Sequence, residues 1–362
     1  MIRHAYVHIP FCLRKCNYCS FVSGINIKYK EIYLNALISQ IKNSYKHDIL
    51  ETLYIGGGTP SLLDSNNLKQ IIECFNLHKD AEITLEVNPE TVKKEKFEEI
   101  KKTKINRISL GVQSFNNDIL KLIGRNHTTK DILNSIKIIK QYGFSNISID
   151  LIYGLPNQDL NIFKHDIEQA IHLDIQHIST YGLKIEQGSY FAKFPPSNIA
   201  DDEQQAEMFL FLCKMLKQNG FKHYEISNFA KANYESKHNC AYWKNKHYYG
   251  FGLNASGYEQ NIRYKNTDIF NDYIKNPNLK SEETKLSEQE IMEDEIFLAL
   301  RLEDGINVEE INKKFNINFT EKYHEIIEKY SKLQLLEYKN NHVKLTEEGF
   351  LLSNEIMSEF IA

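Results

Sequence analysis

The chain has 362 residues, of which 42% are hydrophobic and 25% charged, with a net charge of −4. This mixture is ordinary for a soluble globular protein. No apolar run approaches the roughly 20 residues that cross a bilayer, which excludes proteins that span membranes with helices. The length exceeds the roughly 250 to 300 residues at which one core stops growing, so we expect a large and a small domain.

Short β-rich segments alternate with longer helical segments from Tyr6 to about Ile226, a pattern that is typical of a parallel sheet with crossover helices. A helical segment such as DILNSIKIIKQYG has apolar residues at spacings of three and four and ends at Gly143. About six such units predict an α/β fold built as a partial barrel, with its chemistry at the carboxyl ends of the strands. The predicted strands are AYVHI, ETLYIGG, EITLEV, INRISLGV, NISIDLIYG, HISTYGL and HYEISNF.

The composition changes after the aromatic-rich span 228–275, where KNPNLKSEETKLS is predicted to be a linker. Beyond it we predict a small α+β domain with helices at about 287–302, 308–315 and 320–333, strands in LLEYKNNHVKLT and a last helix in EEGFLLSNEIMSEF. This order resembles a winged helix. We therefore divide the chain into a barrel domain, 1–275, with an extension at 228–260, and a winged-helix-like domain, 281–362.

The charge of the small domain bears on its partners. Residues 281–362 contain 9 Lys and Arg against 19 Asp and Glu, a net charge of −10, and since the whole chain carries −4, residues 1–280 carry +6. A winged helix raises the possibility of DNA binding, but an acidic domain repels phosphate. The sequence therefore predicts no nucleic-acid partner.

Three of the six cysteines, Cys12, Cys16 and Cys19, follow one another at C-x3-C-x2-C. The opening MIRHAYVHIP has no long apolar segment of the secretory type, so we predict a cytoplasmic location, where clustered cysteines hold metals rather than form disulfides. A fully protein-ligated 4Fe-4S cluster takes four thiolates, so three leave one iron open to a small molecule. The alternative is a structural zinc site completed by a histidine such as His8.

The same segment resembles a known superfamily. C-x3-C-x2-C with Tyr18 before the last cysteine resembles the radical SAM superfamily, in which S-adenosylmethionine chelates the open iron. The segments YVHIPFC, GGGTPSLL, EVNPE, RISLGVQSFN, LKLIGR and IDLIYGLP resemble its coproporphyrinogen III oxidase-like branch over most of residues 4–260. The resemblance implies cluster ligands Cys12, Cys16 and Cys19, with S-adenosylmethionine contacts at Tyr6, Tyr18, Gly57, Gly58, Thr59, Glu86, Gln113, Arg125 and Asp150.

The residue types agree with this assignment. Glycines after the strand TLYI let backbone approach a ligand closely, although a tight turn is the alternative. Glu86 and Asp150 interrupt apolar strands, and a buried carboxylate needs a polar partner. Arg125 could pair bidentately with a carboxylate. Singly, each of these residues could equally make a structural hydrogen bond.

Three features distinguish the chain within that branch. Coproporphyrinogen III dehydrogenases carry a fourth cysteine where this chain has Phe21, and they have an N-terminal extension before the position of Tyr6. The segment HNCAYW, from His238 to Trp243, resembles the H-N-x-x-Y-W motif of the heme chaperone family HemW. That resemblance implies heme binding, retained cluster and S-adenosylmethionine, and no coproporphyrinogen oxidation.

In this interpretation His238 is the candidate ligand of heme iron, and Tyr242 and Trp243 offer flat apolar surface to the macrocycle. Cys240 is a weaker candidate. The alternative is a loop anchor in which His238 satisfies backbone groups and Trp243 fills core. The next segment, YYGFGLNASGY, resembles one that closes over the cofactor pocket, and His247 is interpreted as a surface residue.

The sequence thus predicts a heme chaperone that passes heme to an unidentified acceptor protein, with the acidic domain as the docking surface. The alternatives are a coproporphyrinogen III dehydrogenase, a radical SAM oxidoreductase with a non-porphyrin substrate, and a zinc-stabilised DNA-binding regulator. Whether S-adenosylmethionine is cleaved stays open.

Overall fold

Six parallel strands form the centre of the protein, whose computed structural model describes residues 1–361. They are paired in chain order, each parallel to the next. The predicted α/β architecture with a large parallel sheet is therefore confirmed. The strands are β1 (His4–Ile9), β2 (Ile49–Gly57), β3 (Asn76–Val87), β4 (Arg107–Gln113), β5 (Asn146–Tyr153) and β6 (His177–Gly182).

Three short strands extend this sheet at its two edges: β7 (Lys222–Glu225), β8 (Asn228–Ala230) and β9 (Tyr249–Phe251). β9 lies parallel to β1 at one edge. At the other edge β8 is antiparallel to β6, and β7 is antiparallel to β8. The segment HYEISNF, predicted as one strand, is thus a hairpin, because the chain turns between β7 and β8.

Helices connect the strands and cover the outer face of the sheet. Side chains alternate between the two faces of a strand, so the apolar set, such as Leu53, Ile55 and Ile149, is buried in the core. The side chains on the opposite face of the strands include those of Thr52, Tyr54, Glu86 and Asp150. The helices are α1 (Lys30–Ser44), α2 (Ser65–Glu73), α3 (Lys94–Ile100), α4 (Asn117–Leu122), α5 (Thr129–Gln141), α6 (Leu160–His172), α7 (Tyr190–Lys193), α8 (Asp202–Gln218) and α9 (Lys237–Trp243).

The segment KNPNLKSEETKLS, predicted to be a linker, is largely structured. It follows α10 (Phe270–Lys275) and contains β12 (Lys280–Lys285), which pairs with β11 (Ile262–Asn266). β10 (Ser256–Glu259) completes this antiparallel sheet. All six residues of β12 are exposed, so its stability comes from backbone pairing and no apolar alternation marks it in the sequence.

The chain from 286 onward has the predicted winged-helix-like order, and it packs on the barrel edge. Its last helix is broken at Leu352 rather than continuous. Ile226 N–H donates to Arg301 O at 2.9 Å, and Glu303 N–H donates to Tyr224 O at 3.1 Å. The division into 1–275 and 281–362 stays a prediction. The elements are α11 (Glu288–Ala299), β13 (Ile306–Asn307), α12 (Val308–Phe315), α13 (Phe319–Lys322), α14 (His324–Lys332), β14 (Leu336–Lys339), β15 (His342–Leu345), α15 (Glu347–Leu351) and α16 (Ser353–Glu359).

Within residues 1–361 no helix combines the length and the apolar character that crossing a membrane requires.

One buried carboxylate, Asp166 on α6, ties together the loops that follow β4 and β5. It accepts hydrogen bonds from Phe115 N–H at 2.6 Å, Ser114 Oγ at 2.8 Å and Gln158 Nε2 at 3.1 Å. Burial raises the pKa of Asp166 to about 6, so the group is largely ionised at pH 8.

We predict that Asp166→Ala lowers the free energy of unfolding at pH 8 by about 3 kcal/mol, because buried donors lose their acceptor. Urea denaturation followed by circular dichroism measures the change. Asp268→Ala, at an exposed aspartate, should change it by no more than about 0.5 kcal/mol. Equal effects of the two substitutions would contradict the anchoring role of Asp166.

Candidate functional site

A cavity of about 450 Å³ opens at the carboxyl ends of the parallel strands. Here we call it the carboxyl-end cavity. Cys12, Cys16 and Cys19 all lie on its wall, so the structure brings the three thiols to one space. Eight of the residues predicted to contact S-adenosylmethionine line it as well: Tyr18, Gly57, Gly58, Thr59, Glu86, Gln113, Arg125 and Asp150.

Tyr6 is not among the residues that line the carboxyl-end cavity. Its hydroxyl is hydrogen-bonded to His8 Nδ1 at 3.0 Å, and its ring centroid lies 6.1 Å from that of Tyr54. In this structure Tyr6 supports a neighbouring side chain, and its contact with S-adenosylmethionine stays a prediction.

The same hydrogen bonds weaken the zinc alternative. His8 Nε2 is paired with Val22 O at 3.0 Å, and Nδ1 is paired with Tyr6. Since both ring nitrogens of His8 have partners, this histidine is not available as the fourth ligand of a metal held by the three cysteines.

Backbone contacts hold the cysteine loop against the strand ends. Cys12 N–H donates to Gly24 O at 3.0 Å, and Gly24 N–H returns to Pro10 O at 2.8 Å. A Cβ at Gly58 would lie 2.7 Å from Phe11 O and 2.9 Å from Cys12 Sγ, which is closer than atoms pack. The glycine is thus required for the close approach of the two loops, as well as for access to the cavity.

Arg125 places a cation beside the thiols. Its Nη1 donates to Cys16 Sγ at 3.5 Å, and its Nη2 donates to Asn88 Oδ1 at 2.7 Å and to Gly111 O at 2.5 Å. The buried Nε has no hydrogen-bond partner within residues 1–361. A buried donor without a partner is costly, so this guanidinium is suited to an anionic ligand in the cavity.

Asn88 is a residue that the sequence reasoning did not single out. Its side chain accepts from Arg125 and donates to Thr59 Oγ1 at 2.8 Å. It therefore joins two of the predicted cofactor residues. The signal was present in the quoted segment EVNPE, but only the hydrogen-bond geometry separates Asn88 from its neighbours.

Two buried carboxyl groups face the cavity. Glu86 accepts from Tyr54 Oη at 2.8 Å and from Gly57 N–H at 2.9 Å. Burial, together with the nearby Asp150, raises the pKa of Glu86 to about 7. Burial also raises the pKa of Asp150, which accepts from Ser109 Oγ at 3.2 Å. A cationic ligand would favour the ionised form of both groups.

Gln113 ends β4 in an unusual conformation. Its φ is +69°, a left-handed value that is uncommon for residues other than glycine. The pairing of β4 with β5 shifts register between Gly111 and Gln113. Such a bulge redirects a side chain, and it accounts for the position of Gln113 on the cavity wall.

The segment HNCAYW forms α9 at the opposite end of the barrel. His238 is 1% exposed. Its Nδ1 is paired with Thr52 Oγ1 at 2.8 Å, its Nε2 is paired with Tyr242 Oη at 2.8 Å, and its backbone N–H donates to Glu82 Oε1. Thr52 and Glu82 lie on β2 and β3 well before the carboxyl ends of these strands, so α9 packs away from the thiols.

The other predicted heme residues are also engaged. The ring of Tyr242 lies 4.5 Å from that of Tyr248, and the half-buried Trp243 packs against the guanidinium of Arg301 at 5.3 Å. Burial raises the pKa of the Cys240 thiol to about 12, which disfavours a thiolate ligand. The role of His238 in ligating iron stays a prediction, and it would require one ring nitrogen to lose its partner.

The segment YYGFGLNASGY does not close over the carboxyl-end cavity. It forms β9 and β10, and none of its residues lines that cavity. His247, interpreted as a surface residue, is half-buried and lines a second cavity of about 600 Å³. The segment thus lies away from the carboxyl-end cavity, and the partly exposed His247 lies at the protein surface as well as on the wall of the second cavity.

The chain is similar to known proteins in both sequence and fold. Residues 6–170 match the radical SAM superfamily, and residues 286–352 match the HemN C-terminal domain. The heme chaperone HemW of Lactococcus lactis subsp. lactis is 37% identical over 99% of this chain and 97% of that protein. The heme chaperone HemW of Bacillus subtilis is 35% identical over 99% of each chain.

The chain belongs to the HemW family of radical SAM proteins. The fold agrees with this assignment, since the structure of coproporphyrinogen III oxidase (HemN) from Escherichia coli matches with a TM-score of 0.87. That match covers 100% of this chain and 90% of the HemN chain at 21% sequence identity, so it bears on the fold alone. Radical SAM membership implies a 4Fe-4S cluster and S-adenosylmethionine.

The carboxyl-end cavity fits these two groups. Three thiols face one space, the usual donors to iron-sulfur clusters. The unpartnered Nε of Arg125 suits a carboxylate, and the buried Glu86 and Asp150 suit cationic or hydroxyl groups. S-adenosylmethionine carries all of these groups.

We predict that S-adenosylmethionine binds the cluster-reconstituted protein more tightly as the pH rises through 7. If only the ionised Glu86 accepts the cationic ligand, a pKa of about 7 gives about a tenfold fall in Kd between pH 6 and pH 8. Equilibrium dialysis with labelled S-adenosylmethionine measures it. Glu86→Gln should remove this dependence, and Glu90→Gln, on the same wall, should keep it; a dependence that survives in Glu86→Gln would contradict the assignment.

Proposed function

We propose that this protein binds heme and passes it to an acceptor protein. The observation that carries the proposal is the 37% identity to a heme chaperone over 99% of the chain, including the barrel, the extension with HNCAYW and the C-terminal domain. Heme binding and transfer are what that relative's name states, and we extend them to this chain.

In this proposal Cys12, Cys16 and Cys19 hold the 4Fe-4S cluster, and exchangeable S-adenosylmethionine binds beside it. The cluster supplies an iron site that S-adenosylmethionine can chelate. Arg125 orients the ligand through its carboxylate. Glu86 and Asp150 accept hydrogen bonds from its polar groups, and Gly57 lets it approach the backbone. In this account, heme binding and transfer depend on the bound cluster and S-adenosylmethionine.

Coproporphyrinogen III oxidation is the competing function, since the HemN fold is shared. Phe21 stands where the dehydrogenases have a fourth cysteine, and it is 67% exposed at the mouth of the carboxyl-end cavity. This substitution favours the chaperone over the enzyme. Anaerobic incubation with coproporphyrinogen III, S-adenosylmethionine and a reductant tests the competing function through product formation.

The direct test of the proposal is an anaerobic heme titration of the cluster-reconstituted protein, followed by Soret absorbance. We expect a saturable spectrum with one heme per chain. An unrelated protein of similar size, treated in the same way, is the control. Heme binding no stronger than that of the control would contradict the chaperone function, and coproporphyrinogen turnover would then be the reaction to measure.

We further propose that the acidic C-terminal domain meets the acceptor, with a basic surface on the partner. Residues 281–362 carry a net charge of −10, and charge complementarity mainly raises association rates. Glu309, Glu325 and Glu348 are exposed on this domain. The same domain packs against Trp243 through Arg301, so the proposed docking domain is in direct contact with the helix that carries HNCAYW.

We predict that replacing these three glutamates with glutamine slows heme transfer by about threefold at low salt, because each exposed charge contributes a few tenths of a kcal/mol. The measurement is heme transfer to a heme-depleted extract of the source cells. Glutamine at Glu95, Glu168 and Glu203, exposed on the barrel, is the matched control. Equal slowing by both triple variants, or a difference that persists at high salt, would contradict docking at the acidic domain.

A further inference from the structure

The hydrogen bonds of His238 set a cost on its use as a heme ligand. An axial bond to iron needs a ring nitrogen that is now paired with Thr52 or with Tyr242. Freeing Nε2 removes the hydrogen bond of the Tyr242 hydroxyl, at a cost of about 1 to 3 kcal/mol, whereas Thr52 Oγ1 would keep its bond to His4 Nδ1 at 3.0 Å. The ring also lies 1% exposed, so a macrocycle would have to displace α9 to reach it.

A second cavity is lined by another histidine, His247, which could bind iron without breaking the hydrogen bonds of His238. It has a volume of about 600 Å³ and lies between the turn after α9, the β10–β11 hairpin and helices α11 and α12. We call it the amino-end cavity, because Tyr249 pairs with Ala5, which places the residues just before β9 beside the start of β1. The volume falls in the range of about 300 to 1,000 Å³ that is usual for ligand pockets.

His247 lines this cavity and is half-buried. The ring packs edge-on against Tyr258 at 4.6 Å. Asn261 lines the same cavity, and burial lowers the pKa of His247. A neutral imidazole on a cavity wall can ligate a metal through one ring nitrogen, and a polar neighbour such as Asn261 suits the other nitrogen.

The remaining walls match the two kinds of surface on heme. Leu286, Ile291 and Phe315 give an apolar surface for a flat macrocycle. Lys246 and Lys314 are exposed on the wall and offer cations to carboxylates. Lys314 also contacts Glu295, and Glu288 lies at the rim, so Lys246 is the better placed partner for a propionate.

We propose that heme binds in the amino-end cavity with His247 as the axial ligand of its iron and Lys246 as a partner of a propionate. This inference rests on the proposed function, and it deepens it by naming the site. The cofactor cavity and the heme cavity then lie at opposite ends of the barrel.

In this account the motif HNCAYW acts by positioning. The turn that carries His247 is bonded directly to α9, since Asn245 N–H donates to Tyr242 O at 3.0 Å and Lys246 N–H donates to Ala241 O at 2.9 Å. Tyr248 and Tyr258 exchange two backbone hydrogen bonds of 2.9 Å on the other side. The hydrogen bonds of His238 hold α9 in place. The backbone hydrogen bonds from α9 in turn hold the turn that carries His247.

The experiment is an anaerobic heme titration of the full-length, cluster-reconstituted protein and three variants, with both the Kd and the Soret position as readouts. His247→Ala should weaken binding by about tenfold or more, as loss of a metal-site residue commonly does, and should shift the Soret band. His238→Gln should weaken binding without shifting the band, because the axial ligand is retained. His324→Ala, at an exposed histidine, should match wild type.

The outcomes separate the two levels of the proposal. If wild type binds heme and His247→Ala has the wild-type Kd and spectrum while His238→Gln shifts the band, His238 is the ligand and this inference is overturned. If wild type binds no heme, the proposed function itself fails. Circular dichroism and thermal melting of each variant establish that it is folded, so that a loss of binding is not a loss of structure.

A second comparison tests the propionate contact. Lys246→Gln should weaken the binding of heme by several-fold, as loss of one exposed charge pair does, and should leave the binding of heme dimethyl ester unchanged. Lys244→Gln, at a neighbouring exposed lysine, is the control. Equal loss for heme and its ester would overturn the role of Lys246.

Discussion

The structure depends on one constraint, which is that polar groups buried inside a parallel barrel need partners. Glu86 and Asp150 meet this constraint at the carboxyl end with hydroxyl and backbone donors, and burial still raises the pKa of both. His238 meets it nearer the amino ends of the strands with Thr52 and Tyr242. The first set lines an open cavity and suits a ligand, whereas in the second both ring nitrogens of His238 are paired, which suits a structural role.

These two sets are joined by a single side chain. Tyr54 donates its hydroxyl to Glu86, and its ring lies 5.1 Å from that of His238. A change in the charge of Glu86 on cofactor binding would therefore be felt beside the helix that carries HNCAYW. The contacts give a physical route by which a cofactor at one end of the barrel can influence heme at the other, over about 17 Å of strand from Thr52 to Gly57.

Much of the fold and of the cofactor cavity could be predicted from the sequence, because both are encoded locally. The cysteine spacing, the glycines after β2 and the acidic residues at strand ends each mark a position without reference to distant residues. The surroundings of Tyr6 and His247 could not be predicted, for the opposite reason. Their surroundings are set by His8 and by the pairing of β9 with β1, and β12 was missed because its exposed, charged residues carry no apolar pattern.

The central claim is that the cluster and the heme occupy opposite ends of the barrel. The measurement that tests it most directly is a crystal structure of the heme-loaded, cluster-reconstituted protein with anomalous scattering recorded at the iron edge. The account predicts two separate iron peaks, one beside Cys12, Cys16 and Cys19 and one within bonding distance of His247. A heme iron inside the carboxyl-end cavity, or one bonded to His238 with α9 displaced, would contradict it.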